Sequence, residues 1–489
     1  MEQITKPHCG ARLDRLPDCR WHSSMFAIVA FGLLVCWSNA VGGLILAQLK
    51  ELGWTDNSTT ATFSAITTAG MFLGALVGGI IGDKTGRRNA FILYEAIHIA
   101  SMVVGAFSPN MDFLIACRFV MGVGLGALLV TLFAGFTEYM PGRNRGTWSS
   151  RVSFIGNWSY PLCSLIAMGL TPLISAEWNW RVQLLIPAIL SLIATALAWR
   201  YFPESPRWLE SRGRYQEAEK VMRSIEEGVI RQTGKPLPPV VIADDGKAPQ
   251  AVPYSALLTG VLLKRVILGS CVLIAMNVVQ YTLINWLPTI FMTQGINLKD
   301  SIVLNTMSMF GAPFGIFIAM LVMDKIPRKT MGVGLLILIA VLGYIYSLQT
   351  SMLLITLIGF FLITFVYMYV CYASAVYVPE IWPTEAKLRG SGLANAVGRI
   401  SGIAAPYAVA VLLSSYGVTG VFILLGAVSI IVAIAIATIG IETKGVSVES
   451  LSIDAVVNKS YWWIQNEKFK SNIAGARHNE NYFSRNTCA

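Results

Sequence analysis

The sequence predicts an all-α membrane protein with twelve transmembrane helices in two pseudo-symmetric six-helix halves. Its 489 residues are 55% hydrophobic and only 13% charged, whereas a soluble globular protein has about 25% charged residues. The apolar residues also occur in runs of about 20, which is the length that crosses a bilayer as a helix. Charged motifs that follow some of these runs occur twice, which indicates an internal repeat.

Twelve apolar segments account for the twelve helices. A polar insert divides them into two sets of six, so we expect an N-terminal segment at 1–24, helical halves at 25–201 and 265–441, a central loop at 202–264 and a tail at 442–489. The first 24 residues lack the apolar core and cleavage site of a signal peptide. The predicted spans lie near 25–49, 61–82, 90–107, 113–137, 147–171, 181–201, 265–292, 301–323, 331–348, 352–377, 391–415 and 418–441.

The lysines and arginines predict the orientation of these spans. Of the 37 basic residues, 32 lie in the terminal segments, in alternate loops or at the adjoining span ends, all on one side. Basic loops stay in the cytoplasm, so we expect both termini to be cytoplasmic in a plasma membrane or a bacterial inner membrane. The net charge of +10 is then explained by topology, and nucleic-acid binding is not expected.

Three pairs of charged motifs support the internal repeat. Asp83 and Asp324 are 241 residues apart, Arg145 and Arg389 are 244 apart, and Glu204 and Glu442 are 238 apart. Internal repeats are typical of secondary transporters, which bind their solute near the bilayer midplane at the repeat interface. The paired stretches are GDKTGRRN at 82–89 with MDKIPRKT at 323–330, EYMPGRNRG at 138–146 with EIWPTEAKLRG at 380–390, and PESPRWL at 203–209 with IETKG at 441–445.

Three of the motifs also carry a family resemblance. DKTGRR at 83–88 is similar to the major facilitator superfamily signature between the second and third helices, and RFVMGVGLG at 118–126 to its fourth-helix signature. PESPRWL at 203–209 resembles the sugar-porter signature after the sixth helix. The chain therefore resembles a major facilitator superfamily transporter over residues 25 to about 450, in the branch with sugar porters and metabolite–proton symporters.

Charged residues of the cytoplasmic turns are the candidate gate. They could be solvated loops held inside by their charge, but the resemblance implies a latch between the halves. In that latch, Asp83 would cap a facing helix start and the glutamates would pair with arginines. We favour the latch because acids and bases recur in both halves. The predicted gate residues are Asp83, Arg87, Arg88, Glu138, Arg145, Glu204, Arg207, Asp324, Arg328, Glu380, Arg389 and Glu442.

Two arginines inside predicted spans are candidate solute ligands. Arg118 lies in the fourth span and Arg399 in the eleventh. An arginine at the centre of a membrane helix costs about 2.5–3.5 kcal/mol on insertion scales, so it should face a cavity or a partner. Either side chain could instead extend to the interface. Two deep arginines without an obvious buried acid favour an anionic solute.

Amides and aromatic residues on the expected cavity helices complete the predicted solute site. Asn277, Gln280 and Tyr281 are at i, i+3 and i+4 and share one face of the seventh span. Aromatic walls with a few amides suit a small, partly planar metabolite. The predicted substrate-binding residues are Arg118, Asn39, Asn277, Gln280, Tyr281, Asn285, Tyr369 and Arg399.

Proton coupling stays open at the sequence level. The resemblance implies an acid in the first helix and often another after the fourth-helix glycines, but this chain has Asn39 and GLGALLVTLF at those places. Glu95 and His98 share a face of the third span and could relay a proton. The plainer interpretation, a local hydrogen-bonded pair, is the one we favour. Proton symport, exchange and facilitated diffusion are therefore all retained.

The function predicted from these residues is alternating-access transport of a small organic metabolite, most simply a carboxylate. NWLPTIF at 285–291 resembles the nicotinate and aromatic-acid carriers. A sugar or polyol transporter is the alternative, and a non-transporting receptor or a membrane enzyme is more remote. The eight cysteines and four histidines fit no metal framework, so we expect no metal and no cofactor. We expect a monomer in the bilayer.

Overall fold

The computed structural model describes residues 7–17, 19–35, 40–140, 145–240, 253–323, 325–382 and 386–444. These residues are helical, with no β-strand in any of the described ranges. Nine of the described helices are long and apolar enough to cross a membrane, and one of them contains both the eleventh and the twelfth span. The described parts of the first span are Arg20–Val35 and Gly42–Glu51, and the fifth span consists of Arg145–Asn157 and Ser159–Leu170. These two spans complete the predicted set of twelve.

The first half contains spans one to six and ends in short surface helices. The spans run longer than predicted at several polar ends, because helical hydrogen bonding continues past the last apolar residue. Their bounds are Arg20–Val35 with Gly42–Glu51, Asn57–Thr85, Arg87–Ala106, Met111–Tyr139, Arg145–Asn157 with Ser159–Leu170, and Ala176–Tyr201. The helices outside the spans are Cys9–Asp14, Pro206–Ser211, Tyr215–Thr233 and Tyr254–Leu257.

The second half contains spans seven to twelve. The tenth span passes through a π-helical turn at Tyr372–Tyr377. The eleventh and twelfth spans meet at Gly417, whose φ of 65° is accessible mainly to glycine. The bounds are Gly260–Thr293, Leu298–Met309 with Gly311–Val322, Arg328–Ser347, Met352–Cys371 continued by Val378–Glu380, and Lys387–Ile439 for the last two spans.

Side-chain caps fix where several even-numbered spans begin. Asp56, Asn110 and Asn297 accept hydrogen bonds from the backbone N–H three residues on, at 2.7, 2.9 and 2.9 Å. Each cap satisfies one of the backbone donors that have no partner at a helix start. All three lie on one face of the molecule. We call the face that carries residues 202–240 the linker side, and the face with these caps the opposite side.

Glycines allow the second and fourth spans to touch backbone to backbone. A Cβ on Gly74 would lie 2.9 Å from the Val123 Cα, and one on Gly122 would lie 3.1 Å from the Gly70 Cα. Small residues at a helix crossing permit this close approach. The glycines of the second and fourth spans therefore serve helix packing, in the same span that carries Arg118.

The two halves contact each other closely on the opposite side. Asn57 donates to the Ser414 hydroxyl at 2.9 Å, and Asn305 donates to the Ser164 hydroxyl at 3.1 Å. The first span also packs on the seventh, where a Cβ on Gly43 would lie 2.9 Å from the Asn285 carbonyl oxygen. The opposite side is therefore joined across the halves by both polar and backbone contacts.

The N-terminal helix Cys9–Asp14 packs on the surface helices of the linker side. Arg12 forms ion pairs with Glu219 and with Glu226, the latter at 2.7 Å, and Arg15 also pairs with Glu226 at 2.7 Å. An apolar cluster that includes Cys9, Leu13, Leu16 and Met222 lies beneath these pairs. The described N-terminal segment is thus fixed to the helix Tyr215–Thr233.

Candidate functional site

Arg399 and Tyr281 form the first part of a site where the halves meet. The Arg399 Nη1 donates to the Tyr281 hydroxyl at 3.2 Å, and the Arg399 side chain stays half-buried. A Cβ on Gly402 would lie 3.2 Å from the Tyr281 ring and 3.4 Å from Thr68 of the second span. Tyr281 therefore holds the Arg399 guanidinium, and Gly402, three residues from Arg399, lies beside the first half.

A pair of tyrosines and an amide form the second part of this site. Tyr160 of the fifth span and Tyr367 of the tenth meet edge to face, with ring centroids 5.3 Å apart. Gln280, one residue before Tyr281, lies close to both hydroxyls. The ring pair crosses from one half to the other, so a solute here would contact both halves. We call Arg399, Tyr281, Gln280, Tyr160 and Tyr367 the central cluster.

Arg118, the other predicted arginine ligand, lies in a packed environment. Its side chain is 1% exposed, its Nε donates to the Thr67 hydroxyl at 3.2 Å, and its guanidinium lies 4.5 Å from the Phe63 ring centroid. A Cβ on Gly42 would lie 2.7 Å from Arg118 Nη2 and 3.5 Å from the Asn285 amide oxygen. Arg118 therefore does not extend to the interface, and it stands where the first, second and seventh spans converge.

The remaining predicted solute ligands have separate positions. Asn277 is buried and donates to the Leu273 carbonyl at 2.7 Å, next to Gly398 of the eleventh span. Tyr369 is 1% exposed and donates to the Val272 carbonyl at 3.1 Å, so its hydroxyl binds the seventh-span backbone. Asn285 lies beside Gly42 and Arg118. Asn39 lies outside the described residues.

The charged turn between the second and third spans is built around Glu204. Its carboxylate accepts from the backbone N–H groups of Arg87 at 2.7 Å, Arg88 at 3.3 Å and Ser205 at 3.0 Å. Gly86, with φ of 97°, leaves the space into which the carboxylate fits. Negative charge at a helix start is stabilised by the helix dipole, so Glu204 holds the start of the third span.

The Arg87 side chain completes this turn. It donates to Asp83 at 2.7 Å and to Glu138 at 2.9 Å. The start of the third span is thus capped by Glu204, while the Asp83 carboxylate accepts from Arg87 of its own turn, and the cap of a facing helix by Asp83 stays a prediction. The Glu204 carboxylate comes from the segment after the sixth span and reaches the N–H groups at the start of the third span. Asp83 lies at the end of the second span, before these N–H groups.

The second half repeats this arrangement. Glu442 accepts from the backbone N–H groups of Arg328 at 2.8 Å and Lys329 at 3.1 Å, and the Arg328 Nε donates to Glu380 at 3.1 Å. Two tyrosine hydroxyls are equivalent as well. Tyr139 donates to the Pro203 carbonyl at 2.6 Å and Tyr377 to the Ile441 carbonyl at 3.0 Å. The two turns are therefore copies of one device at the level of single contacts.

The ion pairs just described each connect residues of the same half. Arg88 donates to the Trp199 carbonyl at 2.6 Å, and Arg207 pairs with Asp14 at 3.0 Å. Arg389 lies over the Tyr254 ring at 5.2 Å from its centroid. The Arg145 side chain and Asp324 lie outside the described residues. Among the described gate residues, Asp83, Arg87, Glu138 and Glu204 thus form one group in the first half, and Arg328, Glu380 and Glu442 form another in the second half.

The two capping glutamates differ in their electrostatics. Burial raises the pKa of the Glu204 carboxyl above its usual value, although its N–H partners and Arg87 act against that rise. Burial also acts to raise the pKa of Glu442, but there the N–H groups of Arg328, Lys329 and Lys444 prevail and the pKa is lowered. The pKa values at these equivalent positions are therefore shifted in opposite directions.

Tyr160 and Tyr367 are not among the solute ligands predicted from the sequence. Both are tyrosines well inside apolar spans, away from the interfaces where tyrosine is a routine anchor. That depth is the signal that could have identified them. In the part of the chain that the structure describes, no group of three or more His, Cys, Asp or Glu side chains is arranged to hold a metal ion.

Comparison with known proteins places this architecture in a family. The Major Facilitator Superfamily matches residues 26–406. The chain belongs to this superfamily, and it is a multi-pass integral membrane transporter of small molecules rather than an enzyme. The predicted family is therefore confirmed, and so is the predicted all-helical architecture of two six-helix halves.

Individual relatives and solved structures agree with this placement. The chain is 44% identical over 455 residues to the inner membrane metabolite transport protein YdjE of Escherichia coli, covering 92% of this chain and 99% of that protein. It is 25% identical over 445 residues to the niacin transporter NiaP of Acinetobacter baylyi, covering 91% and 99%. The inward-open xylose transporter XylE of E. coli superposes with a TM-score of 0.70 at 16% identity, covering 88% and 99%.

Proposed function

We propose that this protein transports a small organic carboxylate by alternating access, and that the central cluster binds the solute. The observation that carries the proposal is the Arg399 guanidinium at the interface of the halves, bonded to the Tyr281 hydroxyl at 3.2 Å and left half-buried. A guanidinium offers planar, paired donors that match a carboxylate. Its cost inside the bundle is offset when such an anion binds.

The rest of the central cluster favours a planar body on that carboxylate. Tyr160 and Tyr367, one from each half, form an edge-to-face ring pair with centroids 5.3 Å apart, against which an aromatic ring could pack. Gln280 lies close to both hydroxyls and would supply an amide for one polar ring atom. Pockets of this kind, apolar and aromatic with a few fixed polar groups, suit small organic ligands. The niacin transporter NiaP among the relatives is consistent with an aromatic acid.

The transport cycle follows from where the halves touch. The contacts Asn57–Ser414 and Asn305–Ser164 join the halves on the opposite side, whereas the capped turns of the linker side each close within one half. We assign the linker side and both termini to the cytoplasm, because it carries most of the basic residues. Rocking of the halves would then break the opposite-side contacts and bring the two turns together as the inner gate.

Exchange in proteoliposomes tests the proposal with labelled nicotinate as the probe. Wild-type protein should exchange internal for external nicotinate, and Arg399→Gln should lower the exchange rate at least tenfold. Arg399→Lys keeps the charge but loses the paired donors, so it should fall between them. A matched control is Arg200→Gln, because Arg200 is an exposed arginine at the end of the sixth span.

Thermal-shift measurements with purified protein separate the carboxylate from the sugar alternative. We expect nicotinate and benzoate to raise the unfolding temperature of wild-type protein and to lose this effect in Arg399→Gln. Stabilisation by xylose or inositol alone, with no effect of carboxylates, would overturn the proposal and favour a polyol carrier.

A further inference from the structure

A cavity of about 440 Å³ lies on the opposite side, between the end of the first span and the start of the eighth. The first half lines it with residues 48 and 51 and with the turn that joins the fifth and sixth spans, and the second half with residues 297–299. Binding sites for small molecules usually enclose about 300–1,000 Å³. The cavity is therefore large enough for a small ligand, and such a ligand would contact both halves.

Gln48 lines this cavity with a buried amide that has no hydrogen-bond partner. The residue is 0% exposed, and neither its Nε2 nor its Oε1 atom is bonded to another group in the part of the chain that the structure describes. Leaving a buried amide unbonded is unfavourable. The Gln48 amide offers a donor and an acceptor side by side, so a ligand hydroxyl, which can also donate and accept, would satisfy it.

Further amide and hydroxyl groups continue from the cavity wall into the first half. Asn179 and Thr171 both line the cavity, and the Asn179 Nδ2 donates to the Thr171 hydroxyl at 3.4 Å. One turn further into the sixth span, the Gln183 Nε2 donates to the Asn179 Oδ1 at 2.8 Å. The Gln183 Oε1 is buried and has no hydrogen-bond partner among the described residues. Groups of this kind both donate and accept, as the hydroxyl groups of a ligand require.

One acid and one base stand at the rim of the cavity. Glu51 of the first half and Lys299 of the second line it, and both are exposed. Ile174 and Leu298 add apolar surface to the walls. In the central cluster, by contrast, the Arg399 guanidinium is the one charged group among the five members. An uncharged ligand with several hydroxyl groups therefore suits this cavity, whereas the central cluster suits an anion.

The cavity depends on contact between the halves. Leu298 and Ile302 of the eighth span pack into an apolar cluster whose other buried members belong to the first half, among them Ile45 and Trp180. Separation of the halves on this side would move Lys299 and its neighbours away from the first-half wall. A ligand that touches both walls binds the closed form more tightly, and it shifts the equilibrium toward that form.

We infer that this cavity of the opposite side is a second binding site, which takes a neutral polyhydroxy compound and holds the opposite side closed. The hydroxyl groups of the compound would bond with the Gln48 amide and with the Asn179–Thr171 pair. No residue that lines the cavity belongs to the central cluster, so the inference goes beyond the proposed function. The compound acts from the medium on the opposite side and slows transport, without being carried itself.

Equilibrium dialysis of the purified protein with labelled myo-inositol and D-xylose tests the site. Wild-type protein should bind at least one of these probes saturably, and Arg399→Gln should bind it with similar affinity. Gln48→Leu should bind at least tenfold more weakly. This variant should fold, because it replaces an unbonded buried amide with an apolar group of similar size. Gln294→Leu is the matched control, since Gln294 is an exposed glutamine on the same side and does not line the cavity.

Ala176→Phe is a second test variant that leaves the Gln48 amide intact. Ala176 lines the cavity, so a phenylalanine ring there should fill it and also weaken binding at least tenfold. Binding of neither probe by wild-type protein would overturn the inference, and so would equal binding by wild type, Gln48→Leu and Ala176→Phe. Binding that is lost only in Arg399→Gln would place the polyol in the central cluster, which would overturn the inference and count against a carboxylate as the solute.

The labelling rate of Ser414→Cys tests the effect on the closed side. Ser414 contacts Asn57 of the first half on the opposite side, so the bound probe should slow labelling by a membrane-impermeant maleimide at least threefold. In a Gln48→Leu background the probe should have no effect. An unchanged rate, or slowing of equal size in both backgrounds, would overturn the inference. Nicotinate exchange is measured without the probe, so its failure would count against the proposed function alone.

Discussion

Single residues at equivalent positions of the two halves have acquired different electrostatics. Glu442 has a lowered pKa because its N–H partners outweigh its burial, so its ionised form stabilises the fold. That contribution is present above the unfolded-state pKa and is lost as the pH falls through the lower folded-state pKa. Glu204 has a raised pKa because of burial, so the sign is reversed: its contribution to stability is present below the unfolded-state pKa and shrinks as the pH rises through the higher folded-state pKa.

Thermal unfolding of the two glutamine variants should show this difference. At neutral pH we expect Glu442→Gln to unfold at a lower temperature than wild type, because it loses a favourable charge at a helix start. Glu204→Gln should unfold at or above the wild-type temperature, since it no longer buries a carboxylate. The deficit of Glu442→Gln should vanish as the pH falls below about 4, near and under the ordinary glutamate pKa. Equal shifts in both variants would contradict the assignment.

Pairs of helices depend on glycine where backbones touch. The first and seventh spans meet at Gly43, whose Cβ position is occupied by the carbonyl oxygens of Ile284 and Asn285. Any side chain there would push the two spans apart. Because this contact lies on the opposite side, it supports the conformation in which that side is closed.

Gly43→Ala should therefore shift the protein toward a state that is open on the opposite side. The added methyl group cannot fit without moving one span, and overpacking of this kind costs about 1–3 kcal/mol. In a Ser414→Cys background, we expect faster labelling by a membrane-impermeant maleimide and slower exchange. Gly79→Ala is the control, since a Cβ at Gly79 meets nothing within 4 Å. Unchanged labelling of Ser414→Cys would show that this contact does not hold the closed state.

The whole molecule places its two described ends on the same side. Residue 7 and residue 444 are separated by twelve spans, and Lys444 donates to the Lys325 carbonyl in the loop after the eighth span at 2.7 Å. The central helix Tyr215–Thr233 lies there too, paired with Arg12. These segments therefore share one side of the membrane, and a single topology experiment would determine the side for all of them.

Protease added to right-side-out vesicles should leave the ends of the chain intact. We expect epitope tags before Met1 and after Ala489 to be cleaved only in inverted vesicles, because the basic linker side should face the cytoplasm. A tag in the loop near Gly295, on the opposite side, should behave in the reverse way. Cleavage of all tags from one side would contradict the twelve-span topology.

Hydropathy and repetition made the fold predictable, whereas side-chain direction limited the prediction of the site. Span lengths follow from the membrane thickness, and the near-constant motif offset gave the two halves before any contact was known. The cap by Glu204 was missed because it depends on the path of residues 203–205 back over the turn. Tyr369 was chosen and Tyr160 overlooked because only packing decides which face of a tyrosine-rich helix meets the other half.

The self-contained turns of the linker side bear on how the molecule could be assembled. Glu204, Arg87 and Glu138 lie before residue 240, and Glu442, Arg328 and Glu380 lie after residue 253, so the hydrogen bonds described above for each turn stay on one side of that stretch of chain. A polypeptide translated as two separate pieces would keep both networks whole. The contact of the first and seventh spans at Gly43, on the opposite side, would hold the two pieces together. The covalent link between them would serve only to keep the pieces in equal number.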